Sequence, residues 1–277
     1  MRNLRQLPVS YRSVTDVKEI EEIIALQQMI WGAGVVPLGQ LIAAAHNGGV
    51  VIGAYLHEKL IGFCYGFPGY RSGENYLYSH MLGIHPDYRD LGMGHQLKFE
   101  QRTIALANGY NKMVWTYDPL ESRNAYLNLC KLGAYVKTYV ESYYGEMNDQ
   151  INRGLPSDRC IVEWKLNSNR ALAAIKGPSL EEEGWKTYDR LINWELCGVK
   201  PVPVSLKNAG NKSGYLIPVP TSIQSLKQSD IELASEWRYA LREQFCDAFA
   251  KGYAAVGLIR SDEPVQYYVI EKAAMLS

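Results

Sequence analysis

The stretch from Leu77 to Glu100, LYSHMLGIHPDYRDLGMGHQLKFE, holds the residues whose types and spacing come nearest to a chemical site. Arg89-Asp90-Leu91-Gly92-Met93-Gly94 separates a β-rich run from a segment, beginning at His95, with few strand signals. Glycines let successive backbone N–H groups turn toward one point, and a helix N-terminus adds the positive end of a dipole. A loop of that kind makes an anion site that suits a pyrophosphate. The same letters also describe a glycine-rich turn between a strand and a helix. One side chain of the preceding run, His80, titrates near neutral pH.

Residues must be held in place, and a strand does that here. Alternation predicts Tyr76, Tyr78, His80, Leu82 and Ile84 on one face, with Leu77, Ser79, Met81 and Gly83 on the other. His85-Pro86-Asp87 ends the strand, because proline cannot donate to a ladder. Two phosphate loops fail on the letters. A Walker loop needs Gly-Lys-Ser or Gly-Lys-Thr, which the chain lacks; a dinucleotide fingerprint from Gly92 would need a third glycine where Leu97 stands.

The elements around this stretch follow from periodicity and punctuation. Thr15-Asp16 with Glu19 reads as a capping box, followed by Val17, Ile20, Ile24 and Met29 or Ile30 at roughly helical spacing. Pro37 opens a short helix over Leu38 to His46. Val50 to Tyr55 and Leu60 to Phe67 form a hairpin around His57-Glu58-Lys59. His95 to Asn108 is a helix with Leu97, Ile104 and Ala107 near one stripe, stopped by Gly109. Lys112 to Tyr117 is a strand; Ser122 can cap a helix carrying Ala125, Tyr126, Leu129 and Leu132. Ala134 to Tyr144 and Cys160 to Leu166 are strand-like, joined by a polar connection at Asn148 to Asp158.

The spacing R-x-x-G-x-G after a strand resembles the acyl-CoA loop of the GNAT superfamily of N-acyltransferases. The hairpin VVIGAYLHEKLIGFCYGF and the segment SRNAYLNLCKLGA stand where that family has its counterparts, and the element order over Val14 to Leu166 is similar throughout. Among bacterial proteins the chain looks most like predicted acetyltransferases with a long C-terminal extension. The resemblance implies an α/β (α+β) fold of GNAT type: a mixed, mostly antiparallel twisted sheet with a splayed parallel strand pair and helices on both faces. It implies a domain over 1–166 and a smaller α+β extension over 167–277, a packing element or substrate cover.

The same resemblance assigns roles. The backbone of Leu82, Gly83 and Ile84 would pair with the pantetheine arm, and the N–H groups of Arg89, Asp90, Leu91, Gly92, Met93 and Gly94 would hold the pyrophosphate. Gly92 and Gly94 would be needed because a Cβ crowds that approach. Asn124 would contact pantetheine or an ordered water, or else cap its helix with Ser122. An amine with a pKa near 10.4 must lose a proton before it attacks a thioester. His80 is the preferred base; Tyr78 occupies the position where relatives place a carboxylate. The usual acid tyrosine is replaced by Leu129, leaving Tyr126, Tyr117 or water to protonate the thiolate. Glu74, Asp118 and Glu121 read as solvated loop carboxylates.

The implied activity is acyl transfer from acetyl-CoA, or another short acyl-CoA, to an amine of a small molecule or protein. The other possibility is a non-catalytic acyl-CoA-binding or sensing protein, to which the missing tyrosine points. Beyond Leu166, Leu180 to Leu196 reads as a short helix, Tyr215 to Val219 as a strand and Asp230 to Lys251 as a clear helix buried along Leu233, Trp237, Leu241 and Phe245. Tyr253 to Ile259 and Val265 to Ile270 form a hairpin, and no catalytic cluster stands out in this half.

Composition narrows the field. Across 277 residues, 29 basic side chains balance 29 acidic ones, so no general attraction to nucleic acid or an acidic membrane is expected. Five scattered cysteines without a C-x-x-C pair suit reduced thiols in a cytoplasmic protein. No H-x-x-x-H, H-E-x-x-H or G-x-S-x-G occurs, which argues against zinc and a serine elbow. A homodimer is compatible with the sequence.

Overall fold

A computed structural model describes residues 8–32, 34–147, 149, 152–177 and 183–276. Its contacts divide the chain into two units, Met1–Trp115 and Thr116–Ser277. The division falls well before the expected boundary at Leu166. The reason is that the strands carrying Val136 and Val162 pair with each other, and Val136 pairs with Ala255 near the C-terminus.

The first unit begins with β1 (Val9–Ser13), a strand the sequence did not signal. Two helices follow, α1 (Val17–Trp31) and α2 (Leu38–His46). Asp16 caps α1 by accepting from the N–H groups of Lys18 and Glu19, while Glu19 turns instead to Arg12. Next come β2 (Val50–Leu56), β3 (Lys59–Arg71) and β4 (Glu74–Ile84), then α3 (Met93–Ala107) and β5 (Lys112–Tyr117), which runs on into the second unit. The sheet order is β1-β2-β3-β4-β5, antiparallel except that β5 runs parallel to β4.

Helices cover both faces of this sheet. On one, Ile20, Ile23 and Leu26 of α1 and Leu41 of α2 pack with Val51, Tyr55, Phe63 and Tyr65. The other face meets α3 through Met93, Leu97, Lys98, Gln101 and Ala105. That set corrects the expected stripe, since Ile104 is only half-buried and Ala107 is exposed. Two polar residues lie where apolar periodicity was sought, so the true buried face was rotated out of view.

In the second unit, α4 (Ser122–Tyr126) continues as one π-helical turn over Leu127–Lys131. Ser122 does not cap it: its hydroxyl donates to the carbonyl of Thr221, 2.9 Å away. The remaining elements are β6 (Tyr135–Val140), β7 (Arg159–Lys165), α5 (Asn169–Lys176), β8 (Asp189–Arg190), β9 (Ile192–Cys197), β10 (Lys200–Leu206), β11 (Gly214–Pro220), α6 (Ile223–Ser229), α7 (Ile231–Ala250), β12 (Tyr253–Ile259) and β13 (Val265–Lys272). Sheet order here is β7-β6-β12-β13-β11-β8, with β9 and β10 as a separate hairpin.

The helix expected over Leu180 to Leu196 is absent from its described part. Trp185 sits in a 3-10 turn at Glu183–Thr187, and the chain then extends into β8 and β9. Leu180 itself lies outside the described residues. Of the proline-punctuated run from Val199 to Pro203, Val199 lies in the turn and Lys200 to Pro203 open β10, in a two-stranded hairpin where prolines need not serve a central ladder. Helix α7 is as expected, but it also buries Arg238 and Gln244. Among the described residues, no helix is long and apolar enough to cross a membrane.

Candidate functional site

Strand β4 is not regular. Its ladder with β3 passes from Tyr65↔Met81 to Gly66↔Ser79, leaving His80 as the extra residue of a bulge. A bulge shifts side-chain alternation by one, and the faces change accordingly. Ser79 lies on the α3 side, where its hydroxyl meets Gln101. Beyond the bulge, Met81 joins the core beneath α1 and α2, and a Cβ on Gly83 would meet Phe63, Ile30 and Trp31 on that same face. Leu82 points the other way, 3.5 Å from where a Cβ on Gly94 would stand. Tyr78, Leu82 and Ile84 therefore do not share the face that strict alternation gave them.

The bulge coincides with the end of pairing to β5. The described register is Leu77↔Met113 and Tyr78↔Val114. From Ser79 to Ile84, β4 has no further paired residue of β5 among the described residues. That length of strand includes Leu82, Gly83 and Ile84, whose backbone is thus open to an added partner along this edge.

At the bulge, His80 is exposed, yet its ring lies 6.1 Å from Tyr65, 5.8 Å from Phe67 and 6.1 Å from Tyr78, centre to centre. Those rings displace water, and desolvation lowers the His80 pKa from its ordinary value. The imidazole is then predominantly neutral at pH 7, in the form that accepts a proton.

After Ile84 the chain turns through a 3-10 segment, Pro86–Tyr88, into the loop. The Arg89 side chain folds back, with Nε donating to the Ile84 carbonyl at 3.4 Å. Asp90 adopts φ 64°, and Gly92 caps α3 at φ 82°. A Cβ on Gly92 would meet no protein atom within 4 Å, so within the protein itself it is the backbone angle that calls for glycine there. No side chain caps α3, and its first ladder bond runs from the Gln96 N–H to the Gly92 carbonyl. The N–H groups of Met93 and Gly94 consequently have no acceptor within the helix and head its positive end.

Behind β4 lies a polar cluster that sequence reasoning missed. The Lys98 Nζ donates to Ser79 Oγ at 2.7 Å and stands 3.8 Å from the centre of the Trp115 ring. Ser79 Oγ donates onward to Gln101 Oε1 at 2.6 Å. Lys98 is 4 % exposed, and burial lowers its pKa to about 7. Neighbouring Cys64, also buried, is pushed up to about 12. The available signal was the pair Lys98 and Gln101, three apart, on the same buried side of α3 as Leu97 and Ala105.

The other named residues belong to the second unit. Asn124 is exposed on α4. Tyr126 is half-buried, with the Arg260 guanidinium 5.3 Å and the Lys131 ammonium 5.8 Å from its ring centre. Leu129 is fully buried core. The Tyr117 hydroxyl donates to that of Tyr268 at 3.2 Å, and burial raises its pKa well above the usual phenol value. Asp118 and Glu121 are not the solvated carboxylates expected. Arg238 Nη2 donates to Asp118 at 2.5 Å, and Gln224 Nε2 to Glu121 at 2.6 Å, where burial raises the Glu121 pKa. Glu74 is paired with Lys112 on the surface of the first unit. No group of three or more potential metal-binding side chains occurs among the described residues.

With this geometry in place, residues 17–133 match the acetyltransferase (GNAT) family. The matched segment contains β4, the loop and α3. Solved structures similar to part of the chain include a GNAT-family acetyltransferase of Streptococcus pneumoniae, 16% identical, covering 56% of this chain and 98% of its own, with a TM-score of 0.44. A second is a putative acetyltransferase of Salmonella typhimurium with its cofactor acetyl-CoA: 16% identity, 58% of this chain, 95% of that one, TM-score 0.46. A third is a putative acetyltransferase of Acinetobacter baylyi, at 20% identity, 57% and 93% coverage and a TM-score of 0.48. No curated protein matches the chain in sequence.

Proposed function

We propose that this protein transfers an acetyl or other short acyl group from acyl-CoA to an amine of a small molecule or a protein. One observation carries the proposal: the edge of β4 that β5 leaves open leads, through a left-handed Gly92, to the uncapped N-terminus of α3. Within a GNAT domain, that run offers backbone partners for an extended arm and then N–H groups for a pyrophosphate. Leu82, Gly83 and Ile84 are assigned to the arm, and Arg89, Asp90, Leu91, Gly92, Met93 and Gly94 to the phosphates. Asn124 is proposed as a further contact to the arm.

Acyl-CoA supplies the activated thioester, and the protein's residues handle the protons. His80 accepts the surplus proton as the amine nitrogen bonds to the thioester carbon. The C–S bond breaks, and the departing thiolate takes a proton from Tyr126 or from water. Tyr78 borders His80 and holds its ring in the aromatic group. A second reading, an acyl-CoA-binding protein without turnover, draws on one observation: the residue at the usual acid position, Leu129, is packed in the core.

Calorimetry with acetyl-CoA, followed by a thiol-release assay across a panel of primary amines, tests both. Binding with release supports the acyltransferase. Binding without release on any amine favours the second reading, and no binding overturns both.

A further inference from the structure

Where β4 and β5 part, the structure holds a charge that the chemistry above does not use. Tyr78 and Val114 are the last described pair. The next residue on each strand is Ser79 and Trp115, and Lys98 touches both, through its 2.7 Å bond to the hydroxyl and its position 3.8 Å from the ring centre. Gln101, one turn further along α3, accepts the Ser79 hydrogen bond and so orients that hydroxyl's lone pairs toward Lys98. The cluster is dry. Ser79 and Lys98 are each 4 % exposed, and Gln101 and Cys64 are fully buried.

Among the described residues no carboxylate pairs with Lys98. The groups facing it are the Cys64 thiol from β3, Ser79 from β4, Trp115 from β5 and Gln101 on its own helix; Glu100 acts on the cluster only through its field at Cys64. A methionine or leucine would fill the same space without desolvating an ammonium. What those residues could not do is fix two particular atoms groups at once, a hydroxyl on one strand and a ring face on the other. Both contacts strengthen when the amine is charged.

We propose that Lys98 is a positioning residue for the acyl donor: by tethering Ser79 and Trp115 it fixes where β4 and β5 separate, and with it the bulge at His80 and the open edge beyond. This rests on the acyl-donor reading of that edge. Its charge also lies behind the strand that would receive an anionic ligand, so protonated Lys98 favours binding. The lowered pKa of about 7 brings this charge into play across the neutral range.

The test uses full-length Lys98→Met and Ser79→Ala with acetyl-CoA as the calorimetric probe. Lys98→Met is expected to weaken acetyl-CoA binding about tenfold at pH 6.5 with its melting temperature maintained or raised. The gap from the wild type should narrow toward pH 8.5, as wild-type Lys98 loses its own proton. Ser79→Ala should weaken binding about threefold, and the double variant no more than Lys98→Met alone, because both act through one tether. In turnover, the change should fall on the KM for acetyl-CoA and not on that for the amine. Unchanged affinity in both variants, or a gap that does not vary with pH, overturns the role of Lys98 while the acyl-donor reading stands. Should Lys98→Met not fold, an unchanged Ser79→Ala alone overturns it. A wild type that binds no acetyl-CoA overturns the acyl-donor reading, and the inference falls with it.

Discussion

A histidine and a lysine on opposite faces of β4 are both moved toward neutrality by desolvation, with opposite consequences. For His80 a lowered pKa keeps the neutral, proton-accepting form present at pH 7 and somewhat below. The expected result for His80→Gln is a fall in kcat of about a hundredfold, the usual scale for removing a general base. In the wild type, kcat/KM should decline on the acid side through a pKa below the ordinary histidine value, and that limb should vanish in the variant. A pH–rate profile of the two proteins checks this. For Lys98 the shift from 10.5 to about 7 is a stability cost. The unfolded chain binds the proton more tightly, so wild-type stability carries the full penalty below pH 7 and recovers between pH 7 and 10.5. Lys98→Met should therefore be more stable than the wild type by roughly 3–5 kcal/mol near pH 6, with the advantage shrinking as pH rises to 10. Urea titrations at several pH values read it directly. A variant that is more stable yet binds its donor less well is what a strained positioning role demands.

At the scale of elements, the site is a strand edge joined to a helix end, and the glycines at the join have separate duties. Gly92 is left-handed with open space around its missing Cβ, so Gly92→Val strains the backbone by about 1–2 kcal/mol and tilts the start of α3. Gly94 is already inside the helix and would bring its Cβ only into ordinary contact with Leu82. Gly94→Ala should thus leave the melting temperature within a degree or two while lowering acetyl-CoA affinity; Gly92→Val should lower both. Differential scanning calorimetry and isothermal titration distinguish the two. The loop was legible in the sequence because glycine spacing is a backbone signal, carried by the letters themselves. The hairpin of β2 and β3 and the stripe of α7 were legible too, since unbroken apolar runs in the one and helical periodicity in the other match burial. The bulge at His80 was not, because one extra residue looks like unbroken alternation until the partner strand supplies the register. Nor was the true buried face of α3, where Lys98 and Gln101 interrupt the apolar pattern that periodicity follows.

On the scale of the whole chain, the C-terminal residues bear on where the molecule can be cut. Sequence composition changes near Asn167, but composition records local preference and not which strands find each other. Strand β6 pairs on one side with β7 and on the other, at Val136↔Ala255, with β12. Tyr139 of β6 stacks on Phe245 of α7 at 5.9 Å, and its hydroxyl donates to Asp158 at 2.6 Å. Arg242, also on α7, grips both oxygens of Asp158 at 2.8 and 2.9 Å. Arg238 is wholly buried against Asp118 at the exit of β5. Removing one member of such a buried pair costs about 3–5 kcal/mol, and ending the chain after Leu166 removes Arg238 and Arg242 together along with the strand that covers the β6 edge. The shortened protein, 1–166, is therefore expected to be insoluble or to lack a cooperative thermal transition, whereas the full chain melts in one or two sharp steps. A soluble 1–166 fragment with a sharp melt and undiminished acetyl-CoA binding would mean that β6 and β7 fold without α7 and β12, and that the C-terminal residues serve the acceptor alone.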